Sequence, residues 1–454
     1  MKEILLNSFD TCAITHHAPG LWRHPQDRSH EFAQLDYWMD YARTLERGLF
    51  DGLFLADAIG YPDSYGGNAD ATLRHAALMP KADPSVLISG MASVTKHLGF
   101  GVTFNVFDEM PYAFARKIST LDHLTRGRIG WNVVTGYSDS AARGRGSDRL
   151  LPHDERYDVA DEYMDVVYRL WETSWEKDAL RFDRAAGVYA DPARIHCIRH
   201  QGKYFRMEGI HMTHPSPQRT PLLYQAGTSG RGIEFAAKHA ECVFISGPTR
   251  QSVAGMVKKL RSAMTTQGRR PEDIKIFVLL TVIAGETEAQ AEEKHREYSK
   301  YVDREGALVL MSHWVGVDLS GLSMDEPIKY IKSNAVQSVL ERFTVSSPDR
   351  VWTVGDVADF LGRDGGRPTV IGSPQTVASE LEKWVDETDI DGFNLTWPVR
   401  PTSIEDFVEL VVPELQTRKR YKTAYRPGTL REKLFGAGPL TGAGHPTYAL
   451  RTQS

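Results

Sequence analysis

Side chains able to bind or react gather at the ends of five short apolar runs. The first run ends Asp10-Thr11-Cys12-Ala13-Ile14-Thr15-His16-His17, and the second Leu55-Ala56-Asp57. Val102-Thr103-Phe104-Asn105 and Trp131-Asn132-Val133-Val134-Thr135 close the third and fourth. The fifth is Tyr224-Gln225-Ala226-Gly227-Thr228-Ser229-Gly230-Arg231-Gly232. Hydroxyls, amides and backbone-exposing glycines dominate and carboxylates are scarce, which suits holding a polar cofactor better than hydrolysis by paired acids.

The Ala226–Gly232 loop is the most specific of these. Small residues let backbone N–H groups approach an anion, Ser229 adds a hydroxyl, and a helix starting at Ile233 would aim its positive end there. That describes a phosphate seat; a plain glycine-rich turn has the same composition. Gly227, Gly230 and Gly232 fit neither the Walker nor the dinucleotide spacing. Asp57, buried at a strand end, needs a partner or ligand to offset its desolvation. His16-His17 offers proton donors, metal ligands or mere loop packing, with no third ligand nearby. Cys12 reads as a small buried thiol rather than a nucleophile, and His196/His200 and His211/His214 as structural pairs.

Positioning these ends requires a repeating frame. Near-continuous apolar runs at Ile4–Phe9, Gly52–Ala56, Phe100–Val106, Ile129–Thr135, Leu222–Ala226, Cys242–Ser246, Ile276–Ala284 and Phe393–Trp397 predict eight parallel strands covered on both faces. Between them Leu35, Trp38, Met39, Ala42 and Leu45 share a helix face that stops at Gly48. Asp83-Pro84 and Ser373-Pro374 are caps before an N1 proline, and Thr287 with Gln290 is a capping box. The reading is α/β: a (β/α)8 barrel, with a doubly wound open sheet as the alternative. One barrel spans 1–434, with insertions at about 175–219 and 305–367 and a tail at 435–454; Gly306 and Gly316 are candidate lid hinges. Arg418–Lys433, with seven basic residues and one acidic, reads as a solvated arm.

Composition removes other classes. The chain is 41% hydrophobic and 25% charged with net charge −5, so it is not disordered and has no positive field for nucleic acid or anionic lipid. Three cysteines make no disulfide framework, and Ile276–Ala284 is too short to span a bilayer. With no signal peptide recognisable, a soluble cytoplasmic protein is expected.

Several long motifs resemble the bacterial-luciferase-like, FMN-dependent monooxygenases. They are Gly20–Pro25, Leu45–Asp57, Leu121–Arg128 leading into Trp131–Thr135, His153–Tyr157, Gln225–Gly227 and Asp391–Leu395. The resemblance runs from about Ile4 to Leu434. It is strongest to the subgroup of nitrilotriacetate, dibenzothiophene-sulfone, dimethyl-sulfide and long-chain-alkane monooxygenases.

This resemblance implies a luciferase-like TIM barrel binding FMN at its strand ends. A separate NAD(P)H:flavin reductase would deliver the flavin reduced, and O2 would form a flavin peroxide. Ala226, Gly227, Ser229 and Tyr157 would hold the phosphate; Asp57, Thr103, Asn132, Val134 and Thr135 would line the ring and ribityl chain. His16 or His17 stands where the family places an active-site histidine, and Tyr137 and His313 complete the catalytic candidates. No metal is implied; a homodimer or homotetramer is.

Positions facing the substrate depart from the alkane enzymes. Ala13 replaces a cysteine, Pro62 a tyrosine, Leu78 a glutamine, Tyr137 a histidine and Leu310 a histidine, with His313 nearby. The expected substrate is a small, largely apolar sulfide, sulfone, N-heterocycle or hydrocarbon, in a pocket of Phe9, Phe54, Phe104, Phe107, Phe244 and Trp397. An aminopolycarboxylate N-dealkylating monooxygenase is the alternative, drawing on Arg143, Arg145 and Arg149. A non-catalytic flavin-binding barrel and a metal-dependent hydrolase are the readings from other classes.

Overall fold

The computed structural model describes residues 2–14, 18–328, 343–344 and 350–453. Eight parallel strands form a closed ring: β1 Leu5–Thr11, β2 Gly52–Ala56, β3 Gly99–Asn105, β4 Ile129–Val134, β5 Leu222–Gln225, β6 Cys242–Ile245, β7 Lys275–Ala284 and β8 Gly392–Thr396. Each pairs with its neighbours in sequence, and β8 closes on β1. All eight lie within two residues of the segments expected, because strands buried on both faces read as unbroken apolar runs. The open-sheet alternative is excluded by the closure.

Alternation along each strand sorts the core into two layers. Leu6, Leu53, Phe100, Val102, Trp131, Leu223, Val243 and Ile276 face outward to the helices. Leu5, Phe54, Leu222, Tyr224, Cys242, Phe244 and Phe277 fill the barrel itself. Gly101 and Gly130 make room for that filling: a Cβ on Gly130 would lie 2.4 Å from the Tyr224 ring, which stacks on Phe244 at 5.2 Å.

Five helices matter to the site: α1 Leu35–Arg47, α2 His153–Thr173, α3 Gly230–His239, α4 Arg304–Val315 and α5 Val354–Asp364. Helix α1 buries Tyr37, Trp38, Tyr41, Ala42 and Leu45, a face rotated from the expected one so that Leu35 is exposed. It stops at Gly48, yet the left-handed residue is Leu49 (φ 59°); a Cβ on Gly48 would meet Val408 at 2.6 Å. The Asp83 and Ser373 caps form as expected; Thr287 caps its helix by accepting from the Gln290 N–H, but the Gln290 side chain accepts from the Glu286 N–H and so does not close the expected capping box.

The first insertion holds two antiparallel hairpins, Leu180–Asp183 with Val188–Ala190 and Ile198–Gln201 with Arg206–Gly209. Its histidines serve structure: His196 pairs with Glu176 at 2.8 Å, His200 with Glu162 at 2.9 Å, and His211 with Ser119 at 3.0 Å. In the second insertion α4 and α5 pack through Ala307, Leu308, Met311, Val357, Ala358 and Leu361. Gly306 is no hinge, since it lies in the first turn of α4 with Pro19 2.7 Å from its Cβ position; Gly316 is the left-handed cap of α4. A ninth parallel strand, Thr369–Gly372, extends the sheet beside the end of β7.

The basic segment Arg418–Lys433 is not a solvated arm. Arg420, Arg431 and Lys433 are buried, and Arg431 clasps Glu241 at 2.6 and 2.8 Å while donating to the carbonyls of Thr220 and Pro221. Leu430, Leu434 and Phe435 plug the amino end of the barrel, and burying each leucine contributes roughly 1.5–3 kcal/mol. Beyond them, Pro446–Gln453 forms a helix packed on α2.

Candidate active site

The carboxyl ends of the strands carry a cradle, a bed of unsatisfied amides and a cluster of proton-bearing groups. The cradle forms where β5 turns into α3. The helix begins at Gly230, three residues earlier than expected, because Ser229 is its cap and accepts from the Gly232 N–H at 3.1 Å. Tyr157, one turn into α2, hydrogen-bonds Ser229 and lies over two glycines: a Cβ on Gly227 or Gly232 would stand 2.7 or 2.9 Å from its hydroxyl. Burial raises the Tyr157 pKa, keeping the phenol a neutral donor. His153 Nε2, four residues before Tyr157 on the same helix, is 3.4 Å from Ser229 Oγ. Donors converging on a helix N-terminus with no room for side chains suit a phosphate.

Next to the cradle, Asn132 donates its amide to Thr103 Oγ1 at 3.0 Å while its carbonyl oxygen is buried without a partner. Gln225 Oε1 is likewise unpartnered. Thr103, Asn132 and Val134 alternate inward on β3 and β4, and Thr135 follows, nearly buried. Buried polar atoms are seldom left unmet, and a heteroaromatic ring with N–H and C=O edges supplies what these lack. The residues fit a flavin mononucleotide.

The proton-bearing groups converge from three loops and α4. Asp57 Oδ1 lies 3.9 Å from Lys81 Nζ, which donates to the Ala58 carbonyl at 3.0 Å. Burial raises the Asp57 pKa to about 6 against the pull of Lys81, and burial lowers that of Lys81. Tyr137 is pushed up to about 12 by burial and the Asp57 charge. His313 falls to about 4 through burial and the Lys81 charge, so it is neutral at physiological pH. Tyr137 and His313 meet edge-on at 5.3 Å. Beside them Ala77, Leu78, Val309 and Leu310 form an apolar wall. Ala76 and Leu78 hold left-handed backbones (φ 51° and 60°), strain that L-residues carry where the surroundings demand it.

Several expectations change. His16 and His17 fall outside the described residues. Cys12 is buried with its thiol at about 12, an inert group as expected. Phe104 faces away from the mouth onto Phe114, because Thr103 already occupies the inward position. Phe54 and Phe244 fill the barrel deeper down, at 4.3 Å from one another, and Phe107 lies under Arg145. Phe9 and Trp397 do line a cavity of about 60 Å3 at the ends of β1, β7 and β8. Arg143 and Arg145 are occupied by Asp63 and Asp108. Sequence reasoning missed Lys81, His153 and Arg367; only His153, inside the motif ending at Tyr157, carried a readable signal.

Fold and site together define a (β/α)8 barrel with an anion cradle and unmet polar groups at the carboxyl ends of its strands. Residues 13–390 match the luciferase-like monooxygenase family, and the chain belongs to it. It is 47% identical over 435 residues to the dimethyl-sulfide monooxygenase of Hyphomicrobium sulfonivorans, covering 96% of this chain and 91% of that one. It is 46% identical over 439 residues to the long-chain alkane monooxygenase of Geobacillus thermodenitrificans, covering 96% and 95%. Among solved structures, a riboflavin lyase with modified FMN and the substrate riboflavin superposes with a TM-score of 0.93 at 36% identity, covering 99% and 100%. The protein is therefore an enzyme of the monooxygenase class. Among the described residues, no helix is long and apolar enough to cross a membrane.

Proposed function

We propose that this enzyme is the oxygenase component of a two-component system, taking reduced FMN from a separate NAD(P)H:flavin reductase and using O2 to oxygenate a small, largely apolar substrate. The observation that carries this is the Tyr157–Gly227–Ser229–Gly232 cradle beside the unmet oxygens of Asn132 and Gln225. Ala226, Gly227, Ser229 and Tyr157 hold the phosphate; Asp57, Thr103, Asn132, Val134 and Thr135 line the ring and ribityl chain. Bound reduced FMN supplies the electrons with which one oxygen atom of O2 enters the substrate and the other leaves as water.

The protein's own task is positioning, dryness and proton control. Neutral His313 and the Tyr137 phenol hold protons at the mouth, and Asp57 with Lys81 sets the local charge. Leu78 and Leu310 replace polar side chains with apolar wall, favouring a sulfide, sulfone, N-heterocycle or hydrocarbon. An aminopolycarboxylate is disfavoured because Arg143 and Arg145 are already paired.

Reduced FMN from a generic reductase, offered with sulfides, sulfones, amines and heterocycles, tests this reading. Oxygenated product formed in preference to H2O2 is expected for one apolar class. Peroxide alone with every class, despite FMN binding, contradicts it.

A further inference from the structure

Three buried arginines among the described residues are paired with carboxylates. Arg400 pairs with Asp10, Arg431 with Glu241 and Arg420 with Asp386. Arg128 has no carboxylate but donates five hydrogen bonds, to Thr95 Oγ1 and the carbonyls of Ala92, Thr95, Leu98 and Thr125. Arg367 is different. It is 8% exposed, its Nη1 donates to Thr396 Oγ1 at 3.1 Å, its face lies over Phe9 at 5.8 Å, and its Nη2 has no partner. Among the described residues no carboxylate pairs with it; burial lowers the guanidinium pKa to about 9, so it stays cationic at neutral pH.

Arg367 opens into the cavity of about 60 Å3 at the ends of β1, β7 and β8, together with Thr281, Thr396, Phe9, Leu21 and Trp397. Thr281 and Thr396 hydroxyls are 2.7 Å apart. The cavity also holds Asp10 and Asp27: Asp10 pairs with Arg400 through Oδ1 while its Oδ2 has no hydrogen-bond partner, and Asp27 is engaged by the Arg400 N–H and by Ser29. Arg363 is exposed at the rim and adds positive charge. On the ring of strands, β8 and β1 lie on the opposite arc from the β5 cradle, so the phosphate seat does not neutralise Arg367.

We propose that Arg367, with Thr396 and Thr281, is a seat for one carboxylate at the end of an otherwise apolar substrate. A buried guanidinium with a free N–H pair and no counter-ion costs free energy that a planar anion offsets by charge-assisted hydrogen bonds. The aromatic and aliphatic lining takes the rest of the molecule. The inference rests on the monooxygenase reading above and narrows its substrate to a monoanion with an apolar body. The same oxyanion chemistry is offered by an electronegative edge of the flavin ring, and the test separates the two.

Benzoate and hexanoate are titrated calorimetrically against benzamide and hexanamide, with FMN present and absent, into the wild type, Arg367→Gln and Arg367→Lys; FMN itself is titrated into each. The wild type is expected to prefer each carboxylate over its amide by about tenfold or more. Arg367→Gln loses the preference, Arg367→Lys keeps part of it, FMN affinity stays within about twofold, and the melting temperature of Arg367→Gln does not fall. An absent preference in the wild type, or one that survives in Arg367→Gln, overturns the proposal, and so does a fall in melting temperature that marks Arg367 as structural. Weakened FMN binding in Arg367→Gln without a carboxylate preference assigns the arginine to the flavin. Failure of the wild type to bind FMN overturns the flavin reading as well.

Discussion

Two clusters of buried polar groups, one at each end of the barrel, are handled in opposite ways. At the amino end, Arg431 meets Glu241 in a two-bond clasp, its remaining donors reach carbonyls, and Leu430, Leu434 and Phe435 close the opening. At the carboxyl end, Asn132 Oδ1, Gln225 Oε1 and Arg367 Nη2 are buried with nothing to bond, and glycines keep space that side chains would fill. Satisfied polar groups hold a fold together, whereas unsatisfied ones hold binding energy in reserve for a ligand. The difference separates residues that stabilise from residues that bind.

Breaking the clasp gives the largest effect. Arg431→Met leaves Glu241 buried and unpaired, and unfolding in urea is expected to show a loss of about 3–5 kcal/mol, with FMN affinity of the folded protein unchanged. Arg431→Met with Glu241→Leu recovers most of that loss, because no charge is then stranded.

At the mouth, His313 has a folded pKa of about 4, below its unfolded value of 6.5. Its neutral burial therefore contributes stability that is complete above pH 6.5 and lost as pH falls toward 4. His313→Asn is expected to remove about 3 kcal/mol of the acid-induced stability loss over that window, read from unfolding curves at stepped pH. An unchanged pH slope would place His313 in water rather than in the wall.

Filling the cradle affects binding more than folding. The Cβ of Gly227→Ala is directed at Tyr157 Oη and Gln225 Nε2, and FMN affinity is expected to fall about tenfold or more by fluorescence titration, with the unfolding midpoint little moved. The smallest effect belongs to the surface: Arg304→Ala, losing the exposed pair with Asp359, is expected to cost less than about 1 kcal/mol in urea unfolding.

The barrel was readable because eight parallel strands, covered on both faces, leave continuous apolar runs. The cradle was readable because its glycines and Ser229 form a small-residue loop after a strand, and because Tyr157 lies in a motif that resembles a known family. Other features depend on distant partners. Lys81 reaches Asp57 through a loop whose left-handed Ala76 and Leu78 no local pattern announces. The Arg418–Lys433 charges find Glu241 and Asp386 far away in sequence, so the run imitates a solvated arm. Phe104 was misplaced by counting it with Thr103 on one face, against strand alternation. Thr369–Gly372 was missed because four residues running into a helix cap give little periodicity.

The most direct test of the central claim compares FMN with riboflavin in equilibrium titrations of the wild type and of Tyr157→Phe, following flavin fluorescence. If the β5–α3 cradle holds the phosphate, the wild type prefers FMN by about ten- to a hundredfold, and Tyr157→Phe loses a substantial part of that preference while binding riboflavin unchanged. Equal affinity for the two flavins, or a preference untouched by the substitution, would contradict it.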